Sequence, residues 1–310
     1  SSIAEVEEWR EDIRQVKALT DKPFGVDIMF ATVADSMKQE YTGTVKRQVE
    51  VVCEEKPAYL ISALGNPAAA IPDLHAAGVR VMALVGNVKN ARRVEAAGVD
   101  VVIAQGHEAG GHTGQVAGMV LVPAVVDAVK VPVVAAGGIV NSRQMVAALI
   151  LGACGVLLGT RFVATHEAAA HPNYKQKLLE ADEEGTVVTR AYTGKTCRVL
   201  RNRLTEEWRD RDKEVLPFPV QAQRLDELYY PGLCLAGWRT DGPGDTDYGF
   251  CPAGQGAGLI TSLKRVAEGG SILVMTTPET LGSAEMGAAL AQSGISLAAV
   301  DEAHCISEWG

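Results

Sequence analysis

Over the first 160 residues, short uninterrupted apolar runs alternate with longer stretches in which apolar residues recur every three or four positions. The first pattern predicts buried strands, the second amphipathic helices. Residues 2–18 carry helical spacing, with Ile3, Val6, Ile13 and Val16 on one broad face. A strand follows at 23–30, a helix at 42–55, a strand at 58–64, a short helix ending at Ala77-Gly78, and a strand at 80–85. The order continues with helix 88–97, strand 99–104, helix 119–129, strand 131–136, helix 141–151 and strand 155–158. Six βα units of this size predict a parallel sheet with its helices outside. Glycines at successive strand ends favour a (β/α)8 TIM barrel over a doubly wound sheet, with the site on the C-terminal face. Six strands alone do not close such a barrel.

Residues 1–162 therefore form the barrel units, and the pattern then changes. Residues 163–235 read as a helical lid insertion over the barrel mouth. In it His171-Pro172-Asn173 starts a charged helix, 185–190 is a short strand, and 196–212 is a basic-then-acidic helix. Residues 236–267 supply a return loop ending in Ala253-Gly254-Gln255-Gly256-Ala257-Gly258, then a terminal barrel helix. The tail, 268–310, reads as a βαβ fragment with strands at 271–276 and 295–300 around a helix at 279–292. By default it stands as an independent flap. The alternative has the tail completing the barrel, with 295–300 pairing with 23–30 and 271–276 with 155–158.

Composition narrows the class. The chain is 47% hydrophobic but only 5% aromatic, with 32 glycines, a strand–loop–helix profile more than that of a β-sandwich. A net charge of −9 opposes a nucleic-acid surface, which needs a basic stripe. The six cysteines include no C-x-x-C pair, so reduced thiols in a cytoplasmic protein are expected, with neither disulfides nor a metal site. No apolar run reaches membrane-spanning length, and the first residues are an acidic helical pattern, not a signal peptide.

The candidate chemistry is concentrated in Gln105-Gly106-His107-Glu108-Ala109-Gly110-Gly111-His112-Thr113-Gly114, directly after a predicted strand. Its four glycines let backbone amides approach a ligand without intervening Cβ atoms. Gln105, Gly110 and Gly111 are the ligand-facing candidates in this loop. Two further strand ends repeat the device, Gly137-Gly138 and Gly159-Thr160. Glu108 reads as a structural hydrogen-bond acceptor and His107 as a solvated histidine. The run 198–203 reads as a solvated helix face.

QGHEAGGHTG, PVVAAGGI, GTRFVATHEAAAHPNYKQKLLEA, YTGKTCRVLRNRLTEEW and PAGQGAGLI together resemble the FMN-dependent nitronate monooxygenases (2-nitropropane dioxygenases) and the related flavin enoyl-ACP reductases, over about 1–265. The resemblance implies FMN as cofactor, a nitronate or nitroalkane substrate with O2, and His112 as catalytic base. It also implies that Gly137, Gly138, Gly159 and Thr160 hold the flavin phosphate. Amides at strand ends and helix N-termini suit a phosphate, and a histidine near neutral pKa can take the acidic proton beside a nitro group. Asp27 stands where the family often has Asn next to the flavin. Gln255 either reaches the flavin or serves its turn. The family's first two strands, ending Gln-x-Pro-Met and Gly-Gly-Leu-Gly, precede the point where this chain starts. VMTTPETL and AVDEAHCISEWG in the tail resemble RecQ-type helicases. There Asp301 and Glu302 would serve magnesium and water. A phosphate loop, G-x-x-x-x-G-K-[ST], is also required, and Thr189 occupies the first glycine position before Gly194-Lys195-Thr196. The tail is therefore expected to lack ATPase function.

Overall fold

The computed structural model describes residues 3–31, 33, 38–266, 273–276 and 297–300. Its strands in chain order are β1 (Phe24–Phe30), β2 (Tyr59–Gly65), β3 (Arg80–Val85), β4 (Val101–Gln105), β5 (Gly111–His112), β6 (Val133–Ala136), β7 (Gly155–Leu158), β8 (Thr186–Thr189), β9 (Cys197–Leu200), β10 (Leu273–Thr276) and β11 (Leu297–Val300). The helices are α1 (Ile3–Leu19), α2 (Lys38–Glu55), α3 (Ile71–Ala76), α4 (Val88–Ala96), α5 (Gly118–Val126), α6 (Ser142–Ile150), α7 (Thr160–Val163), α8 (Pro172–Glu180), α9 (Arg203–Glu207), α10 (Val220–Leu228) and α11 (Leu233–Ala236).

Eight parallel strands close a barrel in the order β1-β11-β10-β7-β6-β4-β3-β2. The two tail strands occupy the gap between β7 and β1. Leu273 and Val274 pair with Leu157 and Leu158, and residues 298–300 pair with Phe24, Gly25 and Val26. This corrects the expectation of a separate flap, because the six earlier strands leave two open edges whose backbone groups need partners. The expected tail helix and residues 301–310, Asp301, Glu302 and His304 among them, lie outside the described residues.

Strand alternation sorts the side chains between two cores. Ile61, Met82, Ile103, Val134, Ala136 and Leu157 fill the barrel interior. Their neighbours Leu60, Val81, Val102, Val133 and Val156 face outward, under the helices. On β1, Val26 and Ile28 belong to the outer core, which puts Asp27 on the inner face. α1 lays Val6, Trp9 and Ile13 into the same outer core, and Arg14 and Lys17 pair with Glu55 at the end of α2.

The insertion differs from the helical lid expected. Residues 197–200 are a fully buried strand, not part of a helix, and β5, β9 and β8 form an antiparallel sheet in that order. The composition of CRVL suits a strand, and it pairs along its whole length with the neighbouring β8 as well as with β5. Around this sheet Tyr192, Trp208, Phe218, Leu225 and Leu233 build a core of the insertion's own, resting on Met29 and Ala31 at the end of β1. Where a terminal barrel helix was expected, the described residues hold a 3-10 turn at Gln255–Leu259.

Removing residues 268–310 takes away β10 and β11 and exposes the edges of β1 and β7. The truncated protein is expected to aggregate or to lose cooperative thermal unfolding. A soluble monomeric truncation of unchanged Tm, by light scattering and calorimetry, would refute closure by the tail.

Candidate active site

The glycine-rich loop begins at Gln105, the last residue of β4, and is clamped from three sides. Gly111 and His112 pair with Arg198 and Cys197 of β9. The Arg198 side chain, buried at 3% exposure, donates to the His107 carbonyl from Nε (3.2 Å) and Nη2 (3.1 Å). From the return loop, the Gln255 amide donates to the Glu108 carbonyl at 2.9 Å. Both oxygens of Glu108 accept from the Gly118 amide at the start of α5, at 3.0 and 2.9 Å. Glu108 is thus the structural acceptor expected, placed where a helix dipole favours a carboxylate. Glycine is required at position 110, since a Cβ there would sit 2.6 Å from the backbone of Ala253 and Gly254. His107 folds back on its own loop, with Nδ1 2.8 Å from the Gly114 carbonyl, and is not simply solvated.

His112 is therefore carried by backbone pairing, not by a flexible loop. Its Nε2 lies 3.0 Å from the Thr193 hydroxyl, and Phe218 meets the ring edge-on at 5.9 Å. Burial, and then the nearby Lys195 ammonium, lower its pKa to about 4. The imidazole is neutral at physiological pH. Lys195 stacks its ammonium 4.7 Å from the Phe218 ring, and burial lowers its own pKa.

Two adjoining cavities meet at His112. The first, about 220 Å³, is walled by the backbone of Gly110, Gly111, Gly137, Gly138, Gly159 and Thr160, with Gln105, Met29 and Leu157. The second, about 280 Å³, is lined by Lys195, Arg93, Asn87 and Asn90 and, among the described residues, by no carboxylate. Ala63, Leu64, Leu84 and Gln105 belong to both. A Cβ at Gly111 or Gly159 would meet nothing within 4 Å, so at these positions the wall faces open space. The Thr160 hydroxyl accepts from the Gly254 amide at 3.0 Å, which draws the return loop onto the wall.

The sequence-derived residues thus divide. His112, Gln105, Gly110, Gly111, Gly137, Gly138, Gly159 and Thr160 all line the first cavity. Asp27 and Gln255 do not. β1 and β2 slip register between Ile28 and Met29, so that Ala63 is passed over in the ladder, and Asp27 Oδ1 accepts from the Ala63 amide at 3.0 Å. Oδ1 thereby satisfies the amide at a β-bulge, and Ala63 itself lines the cavity. The Gln255 side chain is exposed, and the residue acts through its amide. Sequence reasoning missed Thr193, Lys195 and Arg198. Only the turn residues T-G-K ahead of the apolar CRVL hinted at a structured approach to the site.

A family model described as nitronate monooxygenase matches residues 2–269. The chain belongs to the nitronate monooxygenase family. A nitronate monooxygenase of Paraburkholderia phytofirmans is 32% identical over 293 residues, covering 82% of this chain and 78% of the relative. Among solved structures, nitroalkane oxidase from Streptomyces ansochromogenes superposes with a TM-score of 0.72 at 26% identity, covering 92% of this chain and 86% of that one. FabK from Thermotoga maritima gives 0.71 at 38% identity, over 84% and 77% of the two chains. Of several other curated relatives the chain spans about half the length, between 46% and 56%. The family is one of FMN-dependent oxidoreductases. The helicase resemblance of the tail gains no support from these comparisons. No helix among the described residues is long and apolar enough to cross a membrane.

The lowered pKa of His112 has a consequence for stability. The unfolded histidine takes a proton near its ordinary value of 6.5, the folded one only near 4, so stability present above 6.5 is lost as pH falls towards 4. The loss is at most about 3 kcal/mol, and less where cavity water screens the ring. Urea unfolding at pH 7 and pH 4.5 should show His112→Asn losing less stability than wild type over this interval. Equal losses would contradict the shift.

Proposed function

We propose that the protein is an FMN-dependent oxidoreductase that oxidises alkyl nitronates or nitroalkanes with O2, working as a soluble cytoplasmic enzyme. One observation carries the reading. A histidine held neutral by burial and by Lys195 stands on the wall of a cavity to which glycine backbone from three strand ends contributes. The residues fit the flavin. Gly137, Gly138, Gly159 and Thr160 present the amides of two adjacent βα turns, β6 and β7 being paired neighbours, and these would hold the phosphate. Bound there, FMN supplies the electron transfer and O2 chemistry that no side chain provides.

His112 would accept the proton beside the nitro group, or donate a hydrogen bond to a nitronate that arrives already ionised. A base of pKa about 4 is well below the best match to neutral pH, so its driving force for proton removal is small. Lys195, in contrast, favours a negative charge next to the ring. Both effects make nitronates better substrates than the neutral nitroalkanes. The likeness to FabK fits the second reading, reduction of enoyl thioesters, but less well than the nitronate reading.

Two measurements test this. The purified protein should show a visible flavin spectrum, or gain one on incubation with FMN. Gly138→Val should lose it, because φ there is +71° and a Cβ would lie 2.9 Å from that of Glu108. A protein that binds no flavin refutes the proposal. His112→Asn should cost about 10²-fold or more on neutral nitroalkanes and clearly less on preformed nitronates, a split expected of a general base. Equal loss on both removes the base role, and NAD(P)H-dependent reduction of enoyl thioesters would favour the second reading.

A further inference from the structure

We propose that Thr193 is a positioning residue that fixes the tautomer of His112, keeping the proton on Nε2 and leaving Nδ1 as the basic nitrogen. The inference deepens the reading of His112 given above and rests on it for its role in the reaction.

Thr193 is buried, at 1% exposure, and its hydroxyl has three nitrogen or oxygen neighbours within 3.2 Å. His112 Nε2 is 3.0 Å away, the Lys195 amide 3.2 Å and the Lys195 carbonyl 3.2 Å. A hydroxyl offers one hydrogen and two lone pairs. The Lys195 N–H can only donate, and so takes one lone pair. The Lys195 carbonyl can only accept, and so claims the hydrogen. What remains for His112 is the second lone pair, which needs a hydrogen on Nε2. In this arrangement every group is matched, as buried polar groups require. The opposite tautomer would turn the hydroxyl hydrogen to Nε2. It would leave the Lys195 carbonyl facing an oxygen at 3.2 Å with no hydrogen between them.

A second neighbour could compete for the hydroxyl hydrogen. Burial pushes the pKa of the Cys197 thiol, which also touches Thr193, up to about 12, so it stays protonated. It donates to the Thr189 carbonyl at 3.4 Å and makes only a weak acceptor.

The turn that carries the hydroxyl is fixed. Gly194 sits at φ +83°, where a Cβ would be 2.3 Å from the Leu216 carbonyl, so the turn is wedged against the approach to α10. The Gly194 amide donates to the Arg190 carbonyl at 2.9 Å, and Arg190 Nε returns a bond to the Gly194 carbonyl at 3.2 Å. The hydroxyl therefore holds a set direction. Nδ1, by contrast, has no hydrogen-bond partner among the described residues, which leaves its lone pair for substrate. The logic matches that of a triad, in which a third group sets the tautomer of the base, but here the third group is neutral.

The test compares wild type with Thr193→Val, which keeps the shape and removes the hydroxyl, and Thr193→Ser, which keeps it. Imidazole ¹⁵N NMR reads the tautomer directly in the full-length protein, with and without FMN, the His112 signals being assigned by their loss in His112→Asn. Wild type and Thr193→Ser should show a protonated, pyrrole-type Nε2 and a pyridine-type Nδ1. Thr193→Val should show mixed tautomers or a proton on Nδ1. In the FMN-loaded enzyme, kcat on nitroalkanes should fall about 10–100-fold in the valine variant with little change in KM, and serine should restore it. A wild-type proton on Nδ1, or a valine variant with the wild-type tautomer, overturns the proposal. An inactive enzyme with the expected tautomer pattern would instead count against the nitronate reading and in favour of this assignment.

Discussion

The antiparallel pairing of Gly111-His112 with Cys197-Arg198 is the constraint from which the site follows. A ten-residue loop with four glycines loses much conformational entropy when ordered and has few side chains to repay it by burial. The barrel gives the loop a fixed start at Gln105 and holds its first half, with Gly106 on Ala136 and Glu108 on the Gly118 amide, but not Gly111 and His112. The insertion supplies that surface. Its core of Tyr192, Trp208, Phe218, Leu225 and Leu233 holds β9 rigid, and β9 holds the histidine. Arg198 fastens the same loop a second time, through two donors on one carbonyl. Catalytic geometry here depends on a segment that a reading of the mouth as merely covered would treat as dispensable.

Much of this was legible in the sequence, and the boundary of legibility has a physical cause. Runs such as 80–85 and 155–158 are strands at the residues expected, because burial on both faces makes a parallel strand continuously apolar. The glycines at strand ends were legible for a similar reason. Backbone that must approach a ligand closely has no room for side chains, and that need is written locally. Cys197–Leu200 was not legible as a strand, because its basic neighbours imitate a helix face, and its pairing with His112, 85 residues earlier, leaves no local mark. Asp27 shows a different limit. Its position along β1 was legible, but the register slip with β2 that brings Oδ1 to the Ala63 amide was not. Thr193 carried only the mark of a turn, since its role exists only once His112 is 3.0 Å away.

Charge shows the same division between whole chain and site. The protein carries a net −9, yet the described residues that line the cavity next to His112 include Lys195 and Arg93 and no carboxylate. Over distances beyond roughly 8–10 Å the exposed acidic residues are screened by salt, so the local cation decides the potential at the ring. Burial and Lys195 act in one direction on His112, disfavouring its protonation. The same ammonium favours an anionic substrate beside that ring. A neutral imidazole and a nearby cation are thus two outcomes of one arrangement, suited to a substrate that is itself the anion.

The barrel adds a last step. Closure at eight strands is a condition on the number and stagger of strands, not on their order in the chain. β10 and β11 enter between β7 and β1 from the far end of the sequence, and they pair in the parallel sense required at both joins. What these strands give the barrel is partners for the edges of β1 and β7. Then Met29, at the end of β1, and the Gly159 turn after β7 stay at the spacing that leaves the cavity open between them. Among the described residues, the cavity wall includes members of β1, β2, β3, β4, β6 and β7 and of the two loops beyond them. The closing joins are made by backbone pairing between segments far apart in the sequence, which is all that parallel closure asks of chain order.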